Sequence, residues 1–251
     1  MDRTLPLADK CILITRSKEQ ASYFSKQVQK LGGTPLEVPL IQFSLPADQE
    51  KVAAELEEAV AHYEWLVFTS VNGVNHFFQL HNKPLTNKIA AVGSKTKEAL
   101  AVRGYETDLV PSSYSAENLV QEISCRLDPA QDKLALIQGN LARPVLREEL
   151  LRLGYNVKRI TVYENKPLSL AKEEIEAVVQ KKLDLITFTS PSTVHNFKKA
   201  FGLLDVPVAV IGPITEKAAV QAGFKVSVNP EVYTIDGLLK EIITYFQRED
   251  T

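Results

Sequence analysis

The sequence predicts an α/β protein of two parallel-sheet domains, and three observations predict it. First, Leu185–Phe188 is a run of four apolar or β-branched residues ending in the hydroxyl-rich turn Thr189-Ser190-Pro191-Ser192, as expected of a strand buried on both faces. Second, the stretch has a twin: Phe68-Thr69-Ser70 precedes Phe188-Thr189-Ser190 by 120 residues. Third, short apolar runs alternate with helical patterns from one end of the chain to the other, which calls for parallel sheets.

The repeat extends well beyond the twin strands. Val92-Gly93-Ser94-Lys95-Thr96 matches Ile211-Gly212-Pro213-Ile214-Thr215 at an offset of 119, as do Gly104 with Gly223, Pro111 with Pro230 and Tyr114 with Tyr233. Upstream, Leu31-Gly32 answers Leu153-Gly154 and Val38 answers Ile160, at 122. One α/β unit is written twice, and 251 residues give room for two domains of ordinary size.

In chain order, Lys10–Thr15 reads as the first strand and Glu19–Leu31 as a helix stopped by Gly32-Gly33. An extended piece over Thr34–Phe43, broken at Pro39, leads to an acidic helix from Pro46 to His62. The first Phe-Thr-Ser strand and its helix follow, then a strand at Lys88–Val92, a helix at Lys95–Arg103 closed by Gly104, an extended Thr107–Val110 and a helix at Ala116–Leu127. The cycle restarts with a strand at Lys133–Gln138, a helix at Ala142–Leu153 and a long extended Val157–Pro167. After the second Phe-Thr-Ser turn come a strand at Val208–Ile211, a helix to Gly223, a strand at Val226–Val228 and a last helix over Ile235–Phe246. The two long extended pieces suggest paired connectors. The first strand and helix would then complete the second repeat's sheet, giving one domain of residues 1–36 with 168–251 and another of 37–167.

Composition excludes several classes of function. The 29 Lys+Arg against 31 Asp+Glu leave a net charge of −2, so no sequence-wide field recruits nucleic acid or an anionic membrane. No apolar run reaches spanning length, and Met1-Asp2-Arg3 leads straight into a strand with no signal peptide. Cys11 and Cys125 have no metal-type spacing and read as packing residues. A cytoplasmic protein is expected. Neither G-x-G-x-x-G nor the P-loop pattern occurs, and no Ser/His/Asp arrangement is visible. His62, His76 and His81 sit among charged or amide neighbours and read as solvent-exposed. His195 also reads as a surface residue.

What recurs is hydroxyls and glycines at strand ends: Thr69, Ser70, Asn72 and Gly73; Gly93, Ser94 and Thr96; Gly139, Asn140 and Arg143; Ser190 and Ser192; Gly212 and Thr215. Ligands of doubly wound sheets bind outside these carboxyl ends. Each residue alone is a helix cap. Together, in both repeats, they point to a shared cleft between two domains, suited to a multiply anionic ligand held by N–H groups and hydroxyls. Tyr163, in Ile160-Thr161-Val162-Tyr163-Glu164, is the titratable side chain that stands out: either a packing aromatic or a weak acid able to give a proton to a leaving group.

The ordered set of motifs resembles the uroporphyrinogen-III synthase family over nearly the whole chain. Its pieces are Ile14-Thr15-Arg16, Val67-Phe68-Thr69-Ser70 with Asn72-Gly73-Val74, Ala91-Val92-Gly93 with Thr96, and Tyr114-Ser115-Ala116-Glu117 with Leu119. They continue as Gly139-Asn140 with Arg143, Val162-Tyr163-Glu164, Thr187–Ser192, and Ile211-Gly212-Pro213 with Thr215. The resemblance implies two flavodoxin-like domains joined by a two-stranded connector with the substrate cleft between them. It implies cyclisation of hydroxymethylbilane, a linear tetrapyrrole with eight carboxylates, to uroporphyrinogen III with loss of water and inversion of ring D, without cofactor or metal. A lyase of porphyrin biosynthesis is expected to be a monomer, with a transient contact to the preceding pathway enzyme.

The family's tyrosine falls on Tyr163 as the acid, its threonines on Thr96 and Thr215, and its serines on Ser190 and Ser192. Where some members carry Arg, this chain has Asn72. The implied substrate-binding set is Arg16, Thr69, Ser70, Asn72, Gly93, Thr96, Ser115, Gly139, Asn140, Arg143, Ser190, Ser192, Gly212 and Thr215. Two rival readings exist. A two-cysteine racemase needs a Cys at a strand-end turn in each half, which Cys11 and Cys125 do not provide. A two-domain cytoplasmic anion-binding protein without catalysis is the alternative.

Overall fold

Strand residues alternate between the two faces of a sheet, so a strand apolar at every position needs helices on both sides. Both sheets of this protein are built that way. The structure, a computed structural model, describes residues 5–113 and 115–249. Tyr114 of the Tyr114-Ser115-Ala116-Glu117 motif lies outside the described residues, as do Met1, Asp2 and Arg3.

The elements run β1 (Cys11–Ile14), α1 (Lys18–Lys30), β2 (Thr34–Glu37), β3 (Ile41–Ser44), α2 (Gln49–His62), β4 (Trp65–Phe68), α3 (Val71–Leu80), β5 (Lys88–Ala91), α4 (Ser94–Ala101) and α5 (Ala116–Arg126). They continue β6 (Leu134–Gly139), α6 (Val145–Arg152), β7 (Val157–Pro167), α7 (Lys172–Val179), β8 (Leu185–Phe188), α8 (Pro191–Phe201), β9 (Val208–Val210), α9 (Pro213–Ala222), β10 (Val226–Val228) and α10 (Ile235–Glu249). Contacts divide the chain into two units. Unit 1 comprises the residues up to Gln42 and those from Lys166 onward, and unit 2 is Phe43–Asn165.

Unit 1 holds a five-stranded sheet in the order β10-β9-β8-β1-β2. The chain's first strand therefore sits between β2 and β8, with Leu13 in parallel register with Leu36 on one side and Ile186 on the other. One face buries Ile12, Ile14 and Leu185 against Phe24 and Val28 of α1 and Leu238 and Ile242 of α10. The other buries Leu13, Ile186 and Phe188 against Val194 and Phe197 of α8 and Ala219 of α9. Phe188, Phe197 and Phe224 pack edge to face, with ring centroids 5.3 to 5.9 Å apart.

Unit 2 holds the second five-stranded sheet, β3-β7-β6-β4-β5. Leu66, Phe68, Ala135 and Ile137 pack with α2 and α3, while Trp65, Val67, Leu134 and Leu136 pack with α5 and α6. Along β6 the ladder to β7 runs regularly from Leu134↔Val157 to Gln138↔Thr161, then skips a residue so that Gly139 faces Tyr163. That one-residue bulge re-aims the tyrosine.

The twin turns fold alike. Ser70 caps α3 by accepting from Gly73 N–H at 2.9 Å, and Ser190 caps α8 by accepting from Thr193 N–H at 3.3 Å. Their backbones match closely, φ −161° and ψ 157° against φ −160° and ψ 156°.

Several local expectations need correction. The α6 helix begins at Val145 rather than Ala142, because Arg143 precedes Pro144 and is pushed out of the helical region. Thr107–Val110 contributes only a bridge from Leu109 to Ala90. His81, expected in solvent, is 2 % exposed. Four residues on from buried Phe77, it shares that helix face, with ring centroids 5.4 Å apart and Nδ1 3.2 Å from Glu57 Oε1. His76 is half-buried, whereas His62 and His195 are exposed. Cys11 is half-buried, but Cys125, expected to pack, is exposed. It lies two positions past buried Ile123, about 200° around the helix and so on the opposite side. No described helix is long and apolar enough to cross a membrane.

Candidate functional site

In unit 2 the carboxyl ends of β4, β6 and β7 open onto a cavity of about 450 Å³. Gly139 closes β6, and its missing side chain matters: a Cβ there would overlap the Tyr163 ring. The phenol therefore lies directly on the strand end. The loop beneath is held from several directions. Asn140 N–H donates to Tyr163 C=O at 3.1 Å, and Asn140 Oδ1 accepts from Asn165 N–H at 2.8 Å. The Arg159 guanidinium donates to the carbonyls of Gly139 and Asn140 at 2.9 and 3.0 Å.

The Tyr163 hydroxyl lies 3.2 Å from Ser70 Oγ. Because Ser70 Oγ already accepts from Gly73 N–H, its own hydrogen is free to steady the phenol oxygen. Phe43 meets the tyrosine ring edge-on at 5.7 Å, and the His76 ring lies 5.3 Å away, tilted 31°. His76 Nδ1 is 2.8 Å from the Asn72 carbonyl, which can only accept, so Nδ1 carries the proton.

On the opposite wall Ser115 caps α5, accepting from Asn118 N–H at 3.1 Å and from Asn118 Nδ2 at 2.8 Å. Arg143 contributes a largely exposed guanidinium, with Nη1 3.4 Å from Glu117 Oε1. The Glu117 carboxyl is held below its ordinary value, first by a backbone N–H at the start of α5 and further by Arg143. That turn already holds the Glu117 carboxylate, and the Ala116 N–H is left to face an anion.

Of the residues expected to bind a ligand, the structure gathers Thr69, Ser70, Asn72, Ser115 and Arg143 around this cavity with Tyr163. Gly139 and Asn140 form the support of the tyrosine, and Gly93 caps α4 next to Val92, which lines the wall. Thr96 does not line the cavity; it is the third residue of α4 and 4 % exposed. Phe43, Gln138 and Asn165 line it without having been singled out, and His76 braces the tyrosine from behind. Gln138 carried a legible signal, as the one polar residue in the run Leu134–Gln138 apart from the glycine that follows.

Unit 1 carries its own set of donors at strand ends. Arg16 follows β1, half-buried, with Nη2 donating to Gln20 Oε1 at 3.1 Å and Nε unpaired. No carboxylate among the described residues pairs with it, and burial lowers the pKa of its guanidinium. Ser190 and Ser192 share a hydrogen bond of 2.9 Å at the start of α8. Gly212, at φ +101°, donates its N–H to Asn229 Oδ1 at 2.9 Å, and the Tyr233 ring lies against it. Thr215, within α9, is 4 % exposed.

Two parallel α/β sheets whose carboxyl ends carry a phenol, hydroxyls, helix N-termini and guanidinium groups define a two-unit α/β protein with a polar cavity at its strand ends. The comparisons with known proteins narrow this class. The family model described as uroporphyrinogen-III synthase HemD matches residues 22–240. The uroporphyrinogen-III synthase of Chlorobaculum parvum is 30 % identical over 250 residues, covering 93 % of this chain and 98 % of its own. That of Synechococcus elongatus is 29 % identical over 254 residues, covering 94 % and 96 %. The chain belongs to the uroporphyrinogen-III synthase family. The fold agrees with the crystal structures of uroporphyrinogen-III synthetase from Helicobacter pylori (TM-score 0.69, 19 % identity, 94 % of this chain and 98 % of that one) and of a mutant Thermus thermophilus synthase (TM-score 0.68, 18 % identity, 95 % and 99 %).

Proposed function

We propose that this protein converts hydroxymethylbilane to uroporphyrinogen III, losing water and inverting ring D, with Tyr163 as the acid. The observation that carries the reading is the phenol seated on Gly139 at the mouth of the cavity, its oxygen 3.2 Å from Ser70 Oγ. A phenol is a weak acid, adequate for a hydroxyl that leaves with the electron push of a pyrrole nitrogen. The proton of Tyr163 joins the departing hydroxyl to make water, and the bilane becomes an azafulvenium cation beside the phenolate. The substituted carbon of ring D attacks it. The spiro intermediate then opens and recloses, and the proton lost on aromatisation restores the phenol. This chemistry calls on no cofactor.

Thr69, Ser70, Asn72, Ser115 and Arg143 of unit 2 would hold substrate carboxylates and pyrrole N–H groups. Arg16, Ser190 and Ser192 of unit 1 supply further donors of the same kind. The unpaired, half-buried Arg16 supports a carboxylate partner there. We place the enzyme in the cytoplasm, as a monomer that meets the preceding pathway enzyme only transiently.

The test is a coupled assay with freshly generated hydroxymethylbilane, the isomers being separated after oxidation. Product enriched in isomer III is the expected result. Isomer I alone, formed at the uncatalysed rate by folded protein, would overturn the reading in favour of a non-catalytic anion binder.

A further inference from the structure

The even-numbered residues of β6 point to the α5/α6 side of the sheet: Leu134 and Leu136 are fully buried in that core. The next on this face is Gln138, an amide where the pattern calls for a third apolar side chain. It is 3 % exposed, and it lines the cavity. Its side chain makes no hydrogen bond to any described residue. Buried amides in folded proteins almost always have partners. Two N–H donors and a carbonyl thus face the cavity with no partner among the described residues.

The neighbours on this wall decide what the amide meets. Ser115 Oγ already accepts two hydrogen bonds from Asn118, so only its O–H remains to be given. Ala116 opens α5 with its N–H left unengaged, and the largely exposed Arg143 guanidinium is close by, 3.4 Å from the Glu117 carboxylate. Apart from the Gln138 carbonyl and Glu117, these groups donate. A group with several lone pairs and a negative charge completes them, whereas a pyrrole N–H does not.

We propose that Gln138 is a substrate-binding residue whose amide N–H groups, with Ser115 O–H and the α5 N-terminus, hold one side-chain carboxylate of the tetrapyrrole. The assignment rests on the cavity being the substrate site. Gln138 touches the ligand at a distance from the reacting carbon, so it governs binding, unlike Tyr163.

Gln138→Met keeps the shape and removes the donors, and Gln138→Glu puts a second carboxylate against the first. The experiment pairs steady-state kinetics on hydroxymethylbilane with calorimetric titration of uroporphyrin III, a stable octacarboxylate. For Gln138→Met, KM and the uroporphyrin Kd should each rise about tenfold, with kcat within about twofold of the parent and an unchanged melting temperature. Gln138→Glu should raise both further. Unchanged KM and Kd in both variants would overturn the proposal, as would a fall in kcat alone. The titration also separates the two readings. If the parent protein makes no isomer III yet loses uroporphyrin affinity on Gln138→Met, the enzyme fails and the carboxylate site stands.

Discussion

Tyr163 has a hydroxyl neighbour, a glycine floor and two aromatic braces, contributed by three separate stretches of chain. Replacing it with Phe keeps the packing on Gly139 and removes only the hydroxyl, with its contact to Ser70. We expect kcat to fall about 10²-fold, with KM and the melting temperature unchanged, measured by the isomer III assay. Gly139→Ala attacks the same residue from below. The new Cβ must displace the ring, costing about 1–3 kcal/mol by denaturant unfolding together with most of the activity. The cysteines offer a check of another kind. Burial, reinforced by Asp184, pushes the Cys11 thiol up, so at neutral pH it holds less of the reactive thiolate, while Cys125 is exposed. Iodoacetamide should therefore modify Cys125 quickly and Cys11 only slowly, as peptide mass mapping would show.

At the scale of elements, the twin strand-turn-helix units do two jobs with one residue. Ser70 and Ser190 cap helices, as such residues do in any protein, and at the same turns present their hydroxyls outside the sheet. Ser70→Ala should destabilise unit 2 by about 1 kcal/mol through loss of the α3 cap, and should also slow turnover because the phenol loses its neighbour. Ser190→Ala should cost unit 1 a similar amount while leaving the geometry at Tyr163 unchanged. Denaturant unfolding together with the isomer assay separates the two effects. The α6 start shows why boundaries are harder to read than elements. Apolar periodicity runs through Ala142, but the proline at 144 restricts the residue before it and delays the helix to Val145. That delay leaves Leu141–Arg143 as a loop at the cavity wall.

At the scale of the molecule, each unit closes its own two-faced core, and the chain passes between the units at Gln42/Phe43 and Asn165/Lys166. Phe197→Ala empties the aromatic cluster of unit 1 and should cost about 3–5 kcal/mol. Hydrogen exchange should report lost protection in β8, β9 and α8, with β4 and β6 of unit 2 unchanged. Equal loss in both sheets would show that the units unfold as one.

Much was readable without coordinates, because it depends on local pattern. The offsets near 120 reveal a duplicated α/β unit, the apolar runs locate buried strands, and hydroxyls at their ends mark where a ligand could sit. The family resemblance rests on the order of those same pieces. Other features depend on which strands become neighbours. The skip in register after Gln138 turns Tyr163 onto Gly139, and no spacing within either strand announces it. The Gln138 amide looks like an ordinary polar strand end until the fold buries it in the cavity wall without a hydrogen-bond partner among the described residues. His81 and Cys125 went the same way: a helix face is buried or exposed according to what packs against it, not by the polarity of the residue alone. Periodicity is written into consecutive residues, whereas burial and partnership are set by segments that can lie 173 residues distant, and only the folded chain brings those together.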